Sequence, residues 1–417
     1  MTKVSPGAPP AASAPEKRLV RLLGPAFVAA IAYVDPGNVA ANLSAGAEYG
    51  YLLVWVLVVA NAMAVIVQYL SAKLGLVTGK SLPELLGDRM PRVGRLFYWA
   101  QAELVAAATD LAEVIGGAIA LQILFDLPLL LGGLIVGVIS MIILSVQNRN
   151  GQRPFEFVVM ALLAIITVGF MAGLVVSPVS WSATAAGLVP RFEGSRTVLL
   201  AASMLGATVM PHAIYLHSAL ARDRHGVSKE PARIRRLLTA TRWDVGFALV
   251  IAGSVNVAML LLAAASLPGV AGTDTIEGAH RAIETALGPA IGVIFGIGLL
   301  ASGLASTSVG CYAGATIMKG LLHVRLSLLV RRSITLVPAL VILGVGFDPT
   351  VALVLSQVFL SIGIPFALIP LIWFTSRRGL MGEFVNRLPM RIAALVVTAA
   401  IILLNLLLIY LTVTGQD

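Results

Sequence analysis

Apolar residues run along this chain in blocks of about twenty or more, separated by short segments where charge, glycine and proline collect. The blocks fall at about 22–44, 51–76, 94–122, 128–146, 156–176, 197–221, 243–267, 283–321, 326–346, 350–376 and 391–414. A helix of roughly 20 apolar residues crosses the hydrocarbon core of a bilayer, so the pattern predicts an all-α polytopic membrane protein with eleven spans. Ahead of Leu19 the chain is rich in Pro and Ala and has no apolar core. Residues 1–18 therefore read as a disordered cytoplasmic tail rather than a cleaved signal, and residues 19–417 as one transmembrane domain.

Composition sharpens this picture. The 417 residues are 58% hydrophobic and only 12% charged, with a mean hydropathy of +0.94. A soluble domain carries roughly a quarter charged residues, so a soluble globule, a disordered chain and a single-span receptor with a soluble head are all excluded. The net charge of +9 suggests nucleic acid until the basic residues are placed on the two sides of the spans. Of the 29 Lys and Arg, 26 fall on the side of the N-terminus, and only Arg191, Arg196 and Arg281 fall opposite. The positive-inside rule then places the N-terminus in the cytoplasm and the C-terminus outside, and the short, cysteine-free outward loops suggest a cytoplasmic membrane. The charge is a topology signal: the partner is the lipid bilayer, not nucleic acid, and no obligate protein partner is evident. The basic stretch Arg222 to Arg242 reads as a cytoplasmic anchor. A single cysteine, Cys311, inside an apolar run, reads as a small buried hydrophobe.

Two spans are interrupted. Asp35-Pro36-Gly37-Asn38 breaks the first and Met210-Pro211-His212 the sixth. Proline removes a backbone donor and clashes with the preceding turn, and glycine costs about 1 kcal/mol in a helix, so both spans should unwind near mid-membrane. Unwound backbone is tolerated at that depth only where it is buried in protein or lines a cavity. The sixth span lies five crossings after the first, so the second broken helix is inverted relative to the first. Paired broken helices in inverted halves point to the substrate site of a secondary transporter. The halves are read as residues 19–176 and 197–376, followed by an extra helix at 391–414.

An ionised Asp at the bilayer centre costs at least about 2.5 kcal/mol, and a bound cation would offset it. Asp35 offers an anionic oxygen and Asn38 an amide oxygen, while unwinding frees carbonyls such as those of Ala32 and Ala207. Met210 adds a soft thioether, which suits first-row transition ions better than Mg²⁺ or Ca²⁺. The cargo expected from this donor set is Mn²⁺ or Fe²⁺.

Asp-Pro-Gly-Asn in the first span and Met-Pro-His in the sixth resemble the signature of the Nramp family of proton-coupled divalent-metal transporters. The likeness extends through Gln101-Ala102-Glu103, Ala108 to Glu113, Gly206 to His212 and Leu355-Ser356-Gln357. It implies a LeuT-like five-plus-five inverted repeat with discontinuous helices 1 and 6, plus an eleventh helix. It implies import of Mn²⁺ or Fe²⁺, and often Cd²⁺ or Co²⁺, together with protons. It also implies metal ligation by Asp35, Asn38, Met210 and the carbonyls of Ala32 and Ala207, with Gln357 joining on occlusion. No resident cofactor is expected.

In the third span Glu103, Asp110 and Glu113 stand seven and three residues apart, which places them on one helical stripe. Arg331 and Arg332, at the start of the ninth span, are candidate partners. Burial and a nearby guanidinium push a carboxyl in opposite directions, and a group balanced between them can take up and release a proton as the protein changes shape. A proton route from near Asp35 through Asp110 toward the cytoplasm is expected, with simple charge neutralisation as the alternative for Glu103, Asp110 and Glu113. His212 and His217 are five residues apart, not the four that align two ligands on a helix face, so a two-histidine metal site is not expected. The family likeness gives them a gating or pH-sensing role. A membrane metalloenzyme is disfavoured, because neither His-Glu-x-x-His nor Gly-x-Ser-x-Gly occurs. An amino-acid symporter is disfavoured because the Asp35 carboxylate would repel a substrate carboxylate. A channel is left to be separated by transport measurements.

Overall fold

The computed structural model describes residues 22–273, 275–324 and 326–414. The 1–18 tail lies outside the described residues, as does the side chain of Gln357. Among the described residues every regular element is helical. The first half holds α1 (Pro25–Ala30), a 3₁₀ turn (Ile31–Tyr33), α2 (Pro36–Tyr49), α3 (Val54–Thr78), α4 (Leu82–Arg89), α5 (Arg92–Phe125), α6 (Leu129–Asn150) and α7 (Gln152–Val176). After the short α8 (Trp181–Ala186), the second half holds α9 (Ser195–Thr208), α10 (Pro211–His225), α11 (Pro231–Ser266), α12 (Ile276–Leu287), α13 (Pro289–Leu322), α14 (Leu328–Gly344) and α15 (Pro349–Thr375). The chain closes with α16 (Arg378–Met381), a 3₁₀ turn (Gly382–Phe384) and α17 (Leu388–Thr414).

Eight described helical segments are long and apolar enough to cross a membrane. The other three of the eleven expected crossings are the broken α1–α2 segment, the 17-residue α14, and α15, whose described apolar part is Ile362–Thr375. The all-α membrane architecture with interruptions in its first and sixth spans is present as expected.

Two expectations need correction. The segment 222–242 is not all loop, because α11 begins at Pro231 and carries Arg233, Arg235 and Arg236 on its first turns. The apolar block 283–321 is two helices: Gly288, at φ 95°, ends α12, and Pro289 starts α13. Only glycine adopts that φ without cost, and proline suits a first helical turn. Arg331 and Arg332, at 2% and 0% exposure, lie in the interior, as candidate partners of the acidic stripe should. Removing them from the side-to-side count leaves its bias intact.

The long α13 is the central mast. It packs most extensively on α5 and α7, and small residues let the backbones approach. A Cβ at Gly303 would lie 2.8 Å from the Gly117 backbone of α5, and one at Gly169 of α7 would lie 2.6 Å from the Gly298 backbone. Close approach of this kind supplies the packing that holds helices together in lipid. Tight contacts also frame the first break, since Gly116 of α5 leaves the space that Pro36 fills.

Candidate functional site

The first break is built by its own sequence. After the 3₁₀ turn, Val34 leaves helical geometry (φ −132°, ψ 31°) and Asp35 is extended. Asp35 then caps α2, accepting from the Asn38 backbone N–H at 2.8 Å and from Asn38 Nδ2 at 2.6 Å, both at Oδ1. A carboxylate capping a helix N-terminus is favoured by the orphan amides and the dipole there. In the sixth span α9 ends at Thr208, Val209 departs from the helix, Met210 is extended, and Pro211 opens α10.

The two breaks meet. Asn38 Nδ2 donates to the carbonyl oxygen of Ala207 at 2.9 Å, so an acid and an amide of the first span face the unwound carbonyl end of α9. Asp35, Asn38, Ala32, Ala207 and Met210 are all buried. Asn38 Oδ1 is buried without a hydrogen-bond partner, an acceptor whose desolvation nothing in the protein offsets. An oxygen in that position can coordinate a cation, and the carbonyl ends of half-helices favour positive charge. Among the described residues no three His, Cys, Asp or Glu side chains gather as a metal cluster. The two breaks carry one carboxylate, one amide, one thioether and backbone carbonyls as candidate donors.

Residues that the sequence reading missed hold the unwound backbone. Asn256 Nδ2 on α11 donates to the Tyr33 carbonyl at 2.7 Å, and Asn42 Nδ2 donates to Asn256 Oδ1 at 2.8 Å. Ser302 Oγ on α13 donates to the Val34 carbonyl at 2.5 Å. Their one visible signal is polarity inside otherwise apolar runs. His217 Nδ1 lies 2.7 Å from Gln68 Oε1, and Gln68 Nε2 donates to the Tyr33 hydroxyl at 2.6 Å. Because the Gln68 oxygen accepts, the histidine hydrogen is assigned to Nδ1. His212 is buried with neither ring nitrogen hydrogen-bonded, beside Gln101, Val105 and Tyr215. His280 is buried on α12, its Nε2 3.0 Å from the Gly292 carbonyl.

The acidic stripe on α5 meets both arginines of α14, one each. Arg331 forks onto Glu103 at 2.6 and 3.1 Å. Arg332 Nη1 reaches both oxygens of Asp110 at 2.5 and 2.6 Å, its Nε donates to Ser140 Oγ at 2.6 Å, and the Thr307 hydroxyl donates to Asp110. Glu113 is fully buried, and neither carboxyl oxygen has a hydrogen-bond partner. It lies between the Asp110 pair and the first break along α5, an acid left uncompensated by hydrogen bonds among the described residues.

A family model described as Nramp, natural resistance-associated macrophage protein-like, matches residues 26–411. The chain is 62% identical over 394 residues to a divalent metal cation transporter, MntH, of Mycobacterium tuberculosis (strain CDC 1551 / Oshkosh), an alignment spanning 94% of this chain and 92% of that one. Its fold superposes on the crystal structure of a manganese transporter of Eremococcus coleocola with a TM-score of 0.87 at 29% identity, covering 96% and 89% of the two chains. It also resembles MhsT, a LeuT-fold transporter, with a TM-score of 0.58 at 16% identity and 92% and 97% coverage. That last likeness is one of fold alone, the inverted-repeat architecture with broken first and sixth helices.

Proposed function

The chain belongs to the Nramp family, and from that premise we propose that this divalent metal cation transporter imports Mn²⁺ and Fe²⁺, with Cd²⁺ and Co²⁺ as further cargo, coupled to proton entry. One observation carries the reading: Asn38 bridges Asp35 to the Ala207 carbonyl, so the two unwound segments share a single buried donor set. The ion is held by Asp35, Asn38, the Met210 sulfur and the carbonyls of Ala32 and Ala207, and Gln357 completes the shell when the site closes. The thioether favours first-row transition ions over Mg²⁺ and Ca²⁺.

Transport proceeds by alternating access. The half-helices α1 and α10 rearrange about the ion against the frame of α5 and α13, opening the site to one side at a time. An inside-negative potential adds about 2.3 kcal/mol per charge per 100 mV to inward movement. Protons leave the neighbourhood of Asp35 through Glu113 and Asp110 and move toward the cytoplasm, away from the metal's exit. Glu103, Arg331 and Arg332 supply the fixed charges around that route, and His212 and His217 gate it. The N-terminus is cytoplasmic and the C-terminus outside, in the cytoplasmic membrane. Residues 19–176 and 197–376 form the inverted halves.

Uptake of radiolabelled Mn²⁺ into proteoliposomes, with and without an inward proton gradient, tests this function. Accumulation above equilibrium that the gradient enhances is expected. Equilibration without accumulation would indicate a pore, and accumulation indifferent to the gradient would exclude proton coupling.

A further inference from the structure

Among the described residues three basic side chains of Lys or Arg are buried: Arg331, Arg332 and Lys73. The two arginines end on carboxylates. Lys73, 6% exposed, ends on an amide: its Nζ donates to Asn386 Oδ1 at 2.7 Å, and Asn386 Nδ2 donates to Thr375 Oγ1 at 3.0 Å. Four residues earlier on the same face of α3, the Tyr69 ring carries the Arg242 guanidinium 5.4 Å from its centroid. Two cations therefore converge at the N-terminal face of the bundle, where α3, α11 and the segment before α17 meet. Among the described residues, the acids closest in sequence to Asn386 and Arg242 are engaged elsewhere. Glu383 pairs with Arg235 at 2.8 Å, and Asp244 accepts from the Gly24 and Ala26 amides at 2.9 Å each.

A buried ammonium without a counter-charge is strongly destabilising, and the surroundings indicate what supplies one. Next to Arg242, Trp243 and Phe247 stack on each other and are 54% and 50% exposed. At the start of α17, Leu388 and Ile392 are also exposed. Aromatic side chains at the end of a span mark the headgroup level of the bilayer, and basic pockets between spans there accept anionic headgroups. We infer that the missing anion is the phosphate of an acidic phospholipid from the adjoining leaflet. Exposed Arg242 grips the phosphate, Lys73 beneath it adds charge, and Trp243 and Phe247 border the acyl chains. Through Asn386 and Thr375 the lipid braces the end of α15 against α3.

The test uses the full-length protein, delipidated in detergent, with short-chain phosphatidylglycerol, phosphatidylcholine of the same chain length, or inorganic phosphate added. Thermal melting and native mass spectrometry are the readouts. Phosphatidylglycerol should raise the melting temperature saturably and remain bound in the gas phase. Arg242→Gln, at an exposed position, should weaken that binding about fivefold, the effect expected of one basic residue near a charged headgroup. Lys73→Arg should retain it, and Arg149→Gln, on an exposed residue elsewhere, should leave it unchanged. Equal stabilisation by phosphatidylcholine, equal stabilisation by inorganic phosphate, or an unaltered response in Arg242→Gln would each overturn the inference.

Discussion

Breaking the Asp110–Arg332 pair offers the sharpest energetic test of the buried charge network. Both side chains are almost completely buried, at 3% and 0% exposure. Arg332 makes two bonds to the carboxylate and one to Ser140, while Thr307 supplies another to Asp110. Removing either partner strands a charge in the interior, which costs about 3–5 kcal/mol. Removing both, as Asp110→Leu with Arg332→Met, exchanges the pair for apolar groups of similar bulk and should be near neutral. The double variant should thus recover about 6–10 kcal/mol relative to the sum of the two single losses, beyond the roughly 0.5–3 kcal/mol usual between contacting residues. Reversible unfolding in mixed micelles would measure the cycle. Additivity within about 0.5 kcal/mol would refute the view that the two act as one unit. The same site bears on transport: Asp110→Asn should weaken or abolish metal-driven proton entry in proteoliposomes, and unaltered flux would remove Asp110 from the route.

Met210→Ala should let Ca²⁺ or Mg²⁺ compete for Mn²⁺ uptake, and unchanged discrimination would mean that the sulfur only packs. Asn38→Ala removes the amide that joins Asp35 to Ala207, a bond to a charged group worth about 1.5–3 kcal/mol. Mn²⁺ affinity by calorimetry should fall at least about tenfold, and an unchanged value would take Asn38 out of the ligand set. Gly116→Ala drives a methyl into Pro36, and overpacking of this kind costs about 1–3 kcal/mol. Its melting temperature and Mn²⁺ uptake should both drop, and wild-type values in both would show that the first break is free to move away from α5.

Much of the architecture was legible because lipid makes the rules strict. Pro36 with Gly37, and Pro211, mark both interruptions, since no other residues disrupt a span so reliably. Charges are rare enough in the spans that Glu103, Asp110 and Glu113 at helical spacing, with two arginines elsewhere, announce a paired stripe. The order of pairing was not legible. Adjacent residues on a helix point about 100° apart, so Arg331 and Arg332 reach different acids and Glu113 is left with neither. Nor could the sequence show that Asn256 and Ser302, single polar residues on distant helices, would satisfy the carbonyls of Tyr33 and Val34. Those contacts depend on tertiary packing, which leaves no periodic trace. The split at Gly288 was hidden because Ile283 and the helix beyond Pro289 share one apolar block, and turn geometry alone separates them.

A crystal soaked in Mn²⁺ and measured at a wavelength where manganese scatters anomalously would test the proposed metal site most directly. The account predicts one strong peak between the two unwound segments, within coordination distance of the Asp35 carboxylate, the Asn38 amide oxygen and the Met210 sulfur. A peak remote from all three, or continuous helix through residues 31–38 and 207–212, would contradict it.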